Sequence, residues 1–460
     1  MGDSMGPEKL GTAAVDTAAA VKSCDSDTQL AAQSQTLVEV KGRKRRKYSL
    51  DGKTGSLSVE QAALTREHLA VDFVEGIKGF ILPRGFPNSV SEDYLTYQLW
   101  AVPSHIAGWI SVSLATSSLL KAVGIGTSAV GTAAATASIK WITKDGIGAA
   151  GRLLVGGRLG NVFDEDPKRW RMTAEVFATL GLALEIATAV FPGSFLVLAG
   201  AGNFSKALGK GLGRPCFRII QTHFARQNNV GDISAKEEVW EVAAQLTGLG
   251  LSIAILKAIE ATGNPSNVLW VWASVQSVHV ALRYQALQSL QFPCINQKRA
   301  CALVNAHVRG ERLPGIAEAN QAEPILRLPS QMRPSVKMGA SIAEVFGDSP
   351  SPQELQPLLE TLGPALQQQR EQYLLLWREG RGLVLLRESA KPQDLLRAMW
   401  QAAWLDHCGI QTATSADVAA SIEALQHQFP DFLMQAEAAG WNTQDVVIRS
   451  GSSRIAAGNL

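Results

Sequence analysis

Between Gln98 and Ile139 the only charged residue is Lys121. A segment that long without charge has to be buried, inside a protein or inside a lipid bilayer. The run from Ala122 to Ile139 carries no charge and is long enough for a membrane span, yet Ala, Ser, Thr and Gly dominate it. Small residues of that kind equally serve close helix packing within a bundle, so both environments stay open. The pattern recurs downstream. Val242 to Leu256 is uncharged, Lys257 and Glu260 interrupt, and Asn264-Pro265 marks a turn before Val268 to Leu282.

Composition sharpens this reading. Charged residues make up 18% of the 460, below the roughly 25% of ordinary soluble proteins, which leans toward membrane contact. The 43 Lys and Arg nearly cancel the 41 Asp and Glu, so no global electrostatic case for nucleic-acid binding exists. A chain of this length is expected to form two domains. Residues 1–60 read as a disordered tail: they lack a secretory core, their acids oppose a transit peptide, and Gly6 stands where myristoylation wants Ser or Thr. The cluster KGRKRRK at Lys41 to Lys47 is an import signal, a contact for anionic lipid, or a solvated basic tail. The scattered cysteines Cys24, Cys216, Cys294, Cys301 and Cys408 read as reduced thiols.

Met172 to Val190 reads as one helix, with Phe177, Leu180, Leu184 and Ala187 at helical spacing around Glu175 and Glu185, and Pro192-Gly193 ending it. Phe195 restarts an apolar segment. Lys206, Lys210, Arg214, Arg218 and Arg226 then form a one-sided basic region like the flank of a membrane segment. The expected fold is mainly α: a membrane-associated bundle of about five or six moderately apolar helices over residues 61–328, with a small C-terminal α+β domain. Residues 329–351 read as a linker and 352–460 as the α+β module. That module is assembled from a Leu355 to Leu366 stripe, a hairpin of Tyr373 to Trp377 and Leu383 to Leu386 about Gly380, and a helix with Val418, Ile422, Leu425 and Phe429 on one face.

Several ordered blocks point to a family: Pro87-Asn88-Ser89-Val90, Asp93-Tyr94, Lys144-Asp145-Gly146, Asp166-Pro167-Lys168-Arg169-Trp170-Arg171, Arg226-Gln227-Asn228-Asn229, Arg283 through Leu290, and Gly440-Trp441-Asn442-Thr443. In these the chain resembles the root UVB sensitive family from about Phe80 onward. The resemblance implies a non-enzymatic role as a membrane-associated scaffold or signalling component. UV-B response, root and seedling development, auxin transport and vitamin B6 balance are the processes it implies. A related family member is the implied hetero-oligomeric partner, beside membrane lipid. Plastids are the compartment of many plant members, from which this acid-bearing N-terminus departs.

No catalytic or metal-binding set accompanies the apolar runs. Gly146, Gly148 and Gly151 spell a dinucleotide fingerprint without the βαβ setting it needs, and Gly202 to Gly213 fails the phosphate-loop pattern. His105, His223 and His279 read as core or interface histidines. Glu175 and Glu185 lie about 80° apart around a helix, which does not make an acid/base pair. A buried Glu185 needs a cation, for which Lys144, Arg152 and Arg171 are the candidates. The alternative function is a small-solute carrier or ligand-binding membrane protein whose polar cavity is lined by Lys144, Asp145, Arg171 and Glu185. Pyridoxal phosphate on Lys140 or Lys144 is the one cofactor the vitamin B6 link raises, and the sequence offers it no phosphate cradle.

Overall fold

Asp166 folds back to accept a hydrogen bond from the Arg169 backbone N–H, and Pro167 occupies the first turn, so helix α2 starts at a fixed point. The computed structural model describes residues 35–41, 44–50, 56–61, 76–123, 143, 163–264, 266–347 and 371–456. Within them the bundle consists of α1 (Tyr94–Val123), α2 (Pro167–Ala187), α3 (Phe195–Phe224), α4 (Val230–Ala261) and α5 (Asn267–Gln288). The mainly helical character expected from the sequence is therefore present.

Side-chain contacts fix the helix directions. Gln98 meets Glu237, and further along α1 Ile106 and Trp109 meet Gly248, so α1 and α4 run the same way. On α5, His279 faces Ser104 while Val268 and Val271 pack with Ile110 and Leu114, so α5 runs against α1. Helix α3 returns antiparallel to α2. A Cβ added at Gly181 would sit 2.5 Å from the Gly202 carbonyl oxygen, and one at Gly209 2.7 Å from that of Ala174. Only hydrogen fits between backbones this close, which is why small residues recur along this seam.

Helix α2 buries the side opposite to the one its apolar stripe predicts. Ala174, Glu175, Gly181, Leu182, Glu185 and Ile186 face inward. Val176 and Leu180 face outward, each more than half exposed. The two glutamates of this helix thus point to the interior alongside Leu182 and Ile186, while Val176 and Leu180 point to the outside.

The second module begins earlier than residue 352. Strand β4 (Ile295–Asn296) pairs in parallel with β8 (Val446–Val447). Helix α6 (Gln297–Val308) puts Ala300, Cys301, Leu303 and Val304 into the core formed by the C-terminal helices α9 (Pro392–His407) and α10 (Ser415–Ala438). The stretch expected as a linker is also structured: β5 (Ser335–Met338) joins β6 (Tyr373–Arg378) and β7 (Arg381–Leu386) in the order β5-β7-β6. Helix α7 (Ile316–Ala322) precedes it and α8 (Ile342–Phe346) follows. The alternation in β6 explains the layering, since Tyr373, Leu375 and Trp377 enter the main core while Leu374 and Leu376 pack toward Val345 and Phe346. Glu379 and Gly380, both at positive φ, make the tight hairpin turn the sequence predicts. The Leu355 to Leu366 stripe lies outside the described residues.

Residues 35–61 correct the disordered-tail expectation. Strands β1 (Gln35–Lys41), β2 (Lys44–Leu50) and β3 (Leu57–Gln61) form an antiparallel sheet, with the basic residues Lys44 to Lys47 in β2. This unit is separate from the one spanning Lys78–Leu460. In register, Leu37, Tyr48 and Val59 share one face, so alternation hidden among the charges was the missed signal.

Candidate functional site: the polar interior of the bundle

The lone polar residues of the apolar helices meet inside the bundle. His279 on α5 places Nε2 2.6 Å from Glu175 Oε1 of α2 and Nδ1 2.7 Å from the Ser104 carbonyl oxygen of α1. Both ring nitrogens thus face oxygen atoms. Glu175 also receives Arg171 at 3.2 Å and Arg283 at 3.5 Å. Ser104 Oγ donates to the His279 carbonyl at 3.2 Å and stands equally far from Nδ1. The trio carries the groups of a hydrolase triad, but the imidazole is held by the Ser104 backbone and the hydroxyl by that of His279. As built it clamps α1, α2 and α5 together. Gly108 leaves room for the ring, since a Cβ there would lie 3.0 Å from its Cε1.

A second node lies on the same side of the bundle. Glu237 of α4 accepts from Gln221 of α3 at 2.7 Å and from Gln98 of α1 at 3.3 Å. Around these nodes the buried Tyr94 hydroxyl lies close to Gln98 and the Trp240 indole, and the Tyr97 hydroxyl close to Arg283, without closing a well-formed hydrogen bond among the described residues. Loosely paired buried polar groups thus cluster in one region of the bundle interior.

Of the four candidate residues of the carrier reading, Arg171 and Glu185 lie among the described residues. Lys144 and Asp145 lie outside the described residues, as do Lys140 and the glycine fingerprint. Arg171 pairs with Glu175, whereas Glu185 takes Lys206 of α3 at 2.6 Å, which corrects Arg171 as its partner. Arg171 and Glu185 sit on one helix with a rise of ~21 Å between them, too far to line one small cavity. Lys206, His279 and Arg283 were missed as site residues, although His279 and Arg283 interrupt the otherwise charge-free run of α5, the signal that could have found those two. His223 and His279 are core histidines as expected, each paired with a carboxylate remote in sequence, Asp93 at 2.9 Å and Glu175.

Where α2 begins, an ionic network joins the bundle to the α+β module. The fully buried Lys168 ammonium donates to the Leu290 carbonyl at 2.7 Å and Asn320 Oδ1 at 3.0 Å, and lies 3.5 Å from Glu323. Arg299 reaches Glu323 at 3.2 Å and Lys298 reaches Asp166 at 2.8 Å. Burial would raise Glu323, but Arg299 and Lys168 outweigh it and hold the carboxyl at about 2. Lys168 is pushed down to about 8 by burial, which the attraction of Glu323 only partly offsets.

Family models cover nearly all of this architecture. One described as the vitamin B6 photo-protection and homoeostasis domain matches residues 67–311, and one described as the root UVB sensitive protein C-terminal domain matches 312–454. The chain belongs to the root UVB sensitive family. It is 43% identical to protein root UVB sensitive 5 of Arabidopsis thaliana over 383 residues, covering 80% of this chain and 74% of that one. Protein root UVB sensitive 6 of the same plant is 28% identical over 82% of this chain and 77% of its own length. Protein root UVB sensitive 2, chloroplastic, is 27% identical over 82% and 84%. No solved structure matches.

The root UVB sensitive blocks within the described part of the bundle gather at one end. Val90 bridges Ala225, Ser91 N–H donates to the Phe224 carbonyl, and Arg226 N–H donates to that of Ser89. Asp93 receives the Gln291 N–H at 2.7 Å. The Asp166 to Arg171 block and the end of α5 adjoin the ionic network. The Gly440-Trp441-Asn442-Thr443 block lies in the α+β module, where the Trp441 indole donates to the Pro314 carbonyl at 2.9 Å.

Proposed function

We propose that this chain serves vitamin B6 homoeostasis as a non-enzymatic, membrane-associated scaffold, anchored by the helical bundle and presenting the α+β module to partners. The supporting observation is the inversion of the bundle: its ions are buried, and large apolar side chains such as Leu246, Ile253 and Trp270 lie on its outer faces. In water that arrangement wastes apolar burial, and in lipid it is the expected one. Helices α1 and α4 are both long and apolar enough to cross a membrane. A related family member is the proposed hetero-oligomeric partner, and the plastid is a proposed compartment, in keeping with the chloroplastic relative. UV-B response, development and auxin transport are the processes in which such a scaffold would act.

Alkaline carbonate extraction of the full chain tests the anchoring, with a deletion of residues 102–282 as control. Retention of the full chain and release of the deletion support the reading, and release of both refutes it. Vitamin B6 vitamers measured in cells lacking the chain test the role: an unaltered pool argues against it.

A carrier is the second reading, favoured by the ion pair of buried Glu185 with half-buried Lys206 in the apolar half of the bundle. It moves the solute site from Arg171 to that pair. Uptake into vesicles that is abolished by Glu185→Gln supports it, and uptake indifferent to the change removes it.

A further inference from the structure

Uncharged bands of similar height lie side by side on four of the five helices, and α2, whose Glu175 and Glu185 turn inward, packs among them. On α4, no ionisable residue falls between Glu241 and Lys257, a helical rise of ~24 Å. From Ser104 to Lys121 on α1 the rise is ~25 Å, with His105 the only titratable residue between them. From Ser194 to Lys210 on α3 it is ~24 Å, and the one charge within, Lys206, turns inward onto Glu185. From Ser266 to Arg283 on α5 it is ~25 Å, with His279 turned inward onto Glu175. The contacts of Ile106 and Trp109 with Gly248, Gly181 with Gly202, and Ile186 with Ile110 and Leu114 hold these bands at one level.

We propose that this band crosses a lipid bilayer, so that the α2–α3 connection at 188–194 and the α4–α5 connection at 262–266 emerge together on the side opposite the α+β module. The inference rests on the membrane reading above and adds the crossing and its direction. Apolar side chains lie outward on every helix of the band: Val112, Leu180, Val197, Leu246 and Trp270 are each at least 40% exposed, Trp270 at 76%. A protein partner covers one patch, whereas this apolar surface is shared among the outer faces of all five helices. Charge marks both rims, with Lys210, Arg214 and Arg218 exposed on the module side and Lys121, Lys257 and Glu260 exposed at the other. A band of ~24 Å is a few ångströms short of a hydrocarbon layer of ~27–30 Å, a gap that rim Lys and Arg side chains close by extending toward the headgroups. The pair of Glu185 and Lys206 then lies within the hydrocarbon, where an ion persists only with its counter-ion.

The test uses the full-length chain in sealed membrane vesicles, a membrane-impermeant maleimide, and peptide mass spectrometry to read each thiol. Cys408, exposed on the module, reports one side. Asn264→Cys reports the α4–α5 connection, and Gly193→Cys, where a side chain meets nothing within 4 Å, reports the α2–α3 connection independently. Crossing predicts that Cys408 and the introduced thiols are modified from opposite sides. One class reacts in sealed vesicles, and the other gains at least tenfold on permeabilisation. Chain retained by carbonate with both classes reacting alike overturns the crossing while leaving membrane association intact. Chain released by carbonate overturns both and assigns the apolar band to a protein partner.

Discussion

Glu323→Gln should be among the costliest single-atom changes in the chain, and costlier than Lys168→Met although both break the same ion pair. Glu323 is held at about 2, well below the ordinary 4.5 of a glutamate. A displacement of that size corresponds to ~3 kcal/mol, and removing one member of a buried pair costs ~3–5 kcal/mol by precedent. The two ends of the pair point in opposite directions, because Lys168 at about 8 is below its ordinary 10.5 and so is disfavoured as an ion where it sits. Geometry explains the difference. Glu323 answers to Lys168 and Arg299 and accepts from Asn296, whereas Lys168 has one carboxylate at 3.5 Å that it shares with Arg299. Methionine at 168 forfeits hydrogen bonds to Leu290 and Asn320 but relieves a buried ammonium, so its net cost should stay within ~2 kcal/mol. Chemical unfolding followed by tryptophan fluorescence at pH 7, in one detergent throughout, measures both. Acid then gives a second readout. A carboxyl lowered on folding contributes fully above its unfolded value and loses that contribution as pH falls from 4.5 toward 2. The native chain should lose stability through that window, and Glu323→Gln should lose ~3 kcal/mol less over it. For Lys168, lowered on folding, stability should instead rise between pH 8 and 10.5, and Lys168→Met should abolish that rise. A smaller cost for Glu323→Gln than for Lys168→Met would refute the reasoning.

Three further outcomes are expected. Gly181→Ala should cost ~1–3 kcal/mol in the same assay because its Cβ lands on the Gly202 carbonyl, while Gly193→Ala, in open space, should be neutral. Asp93, which burial would raise, is held below its ordinary value by the hydrogen bond and charge of His223, so Asp93→Asn should weaken the acid limb below pH 4. Iodoacetamide on the native chain, read by peptide mass spectrometry, should modify exposed Cys408 and spare buried Cys301, whose thiol burial pushes up to about 12, until the chain is unfolded.

The helices were legible because charge-free runs of that length have few alternatives. The β6–β7 hairpin was legible because period-two alternation flanks Gly380. The inward face of α2 was not, since an apolar stripe read as a core assumes water outside, and Val176 and Leu180 face outward. The early start of the α+β module was hidden because α6 carries Lys298, Arg299 and His307, which read as surface until Glu323, Asp166 and Trp400 supply partners from afar. The site was half legible. Glu185 was recognised as needing a cation, but Lys206 is reached only through the antiparallel return of α3, a contact across sequence that no local spacing encodes.

The joint between bundle and module also sets an order of events during synthesis. Lys168 leaves the ribosome long before Glu323, and β4 waits for Val446 and Val447, about 150 residues later in the sequence. Until those residues arrive, the foot of α2 holds a cation with no carboxylate to close over it and a strand edge without a mate. The joint can therefore reach its final state only after strand β8 has been made. Premature termination anywhere before strand β8 would leave a product with a frayed base that cellular quality control can recognise, rather than a functional shorter form.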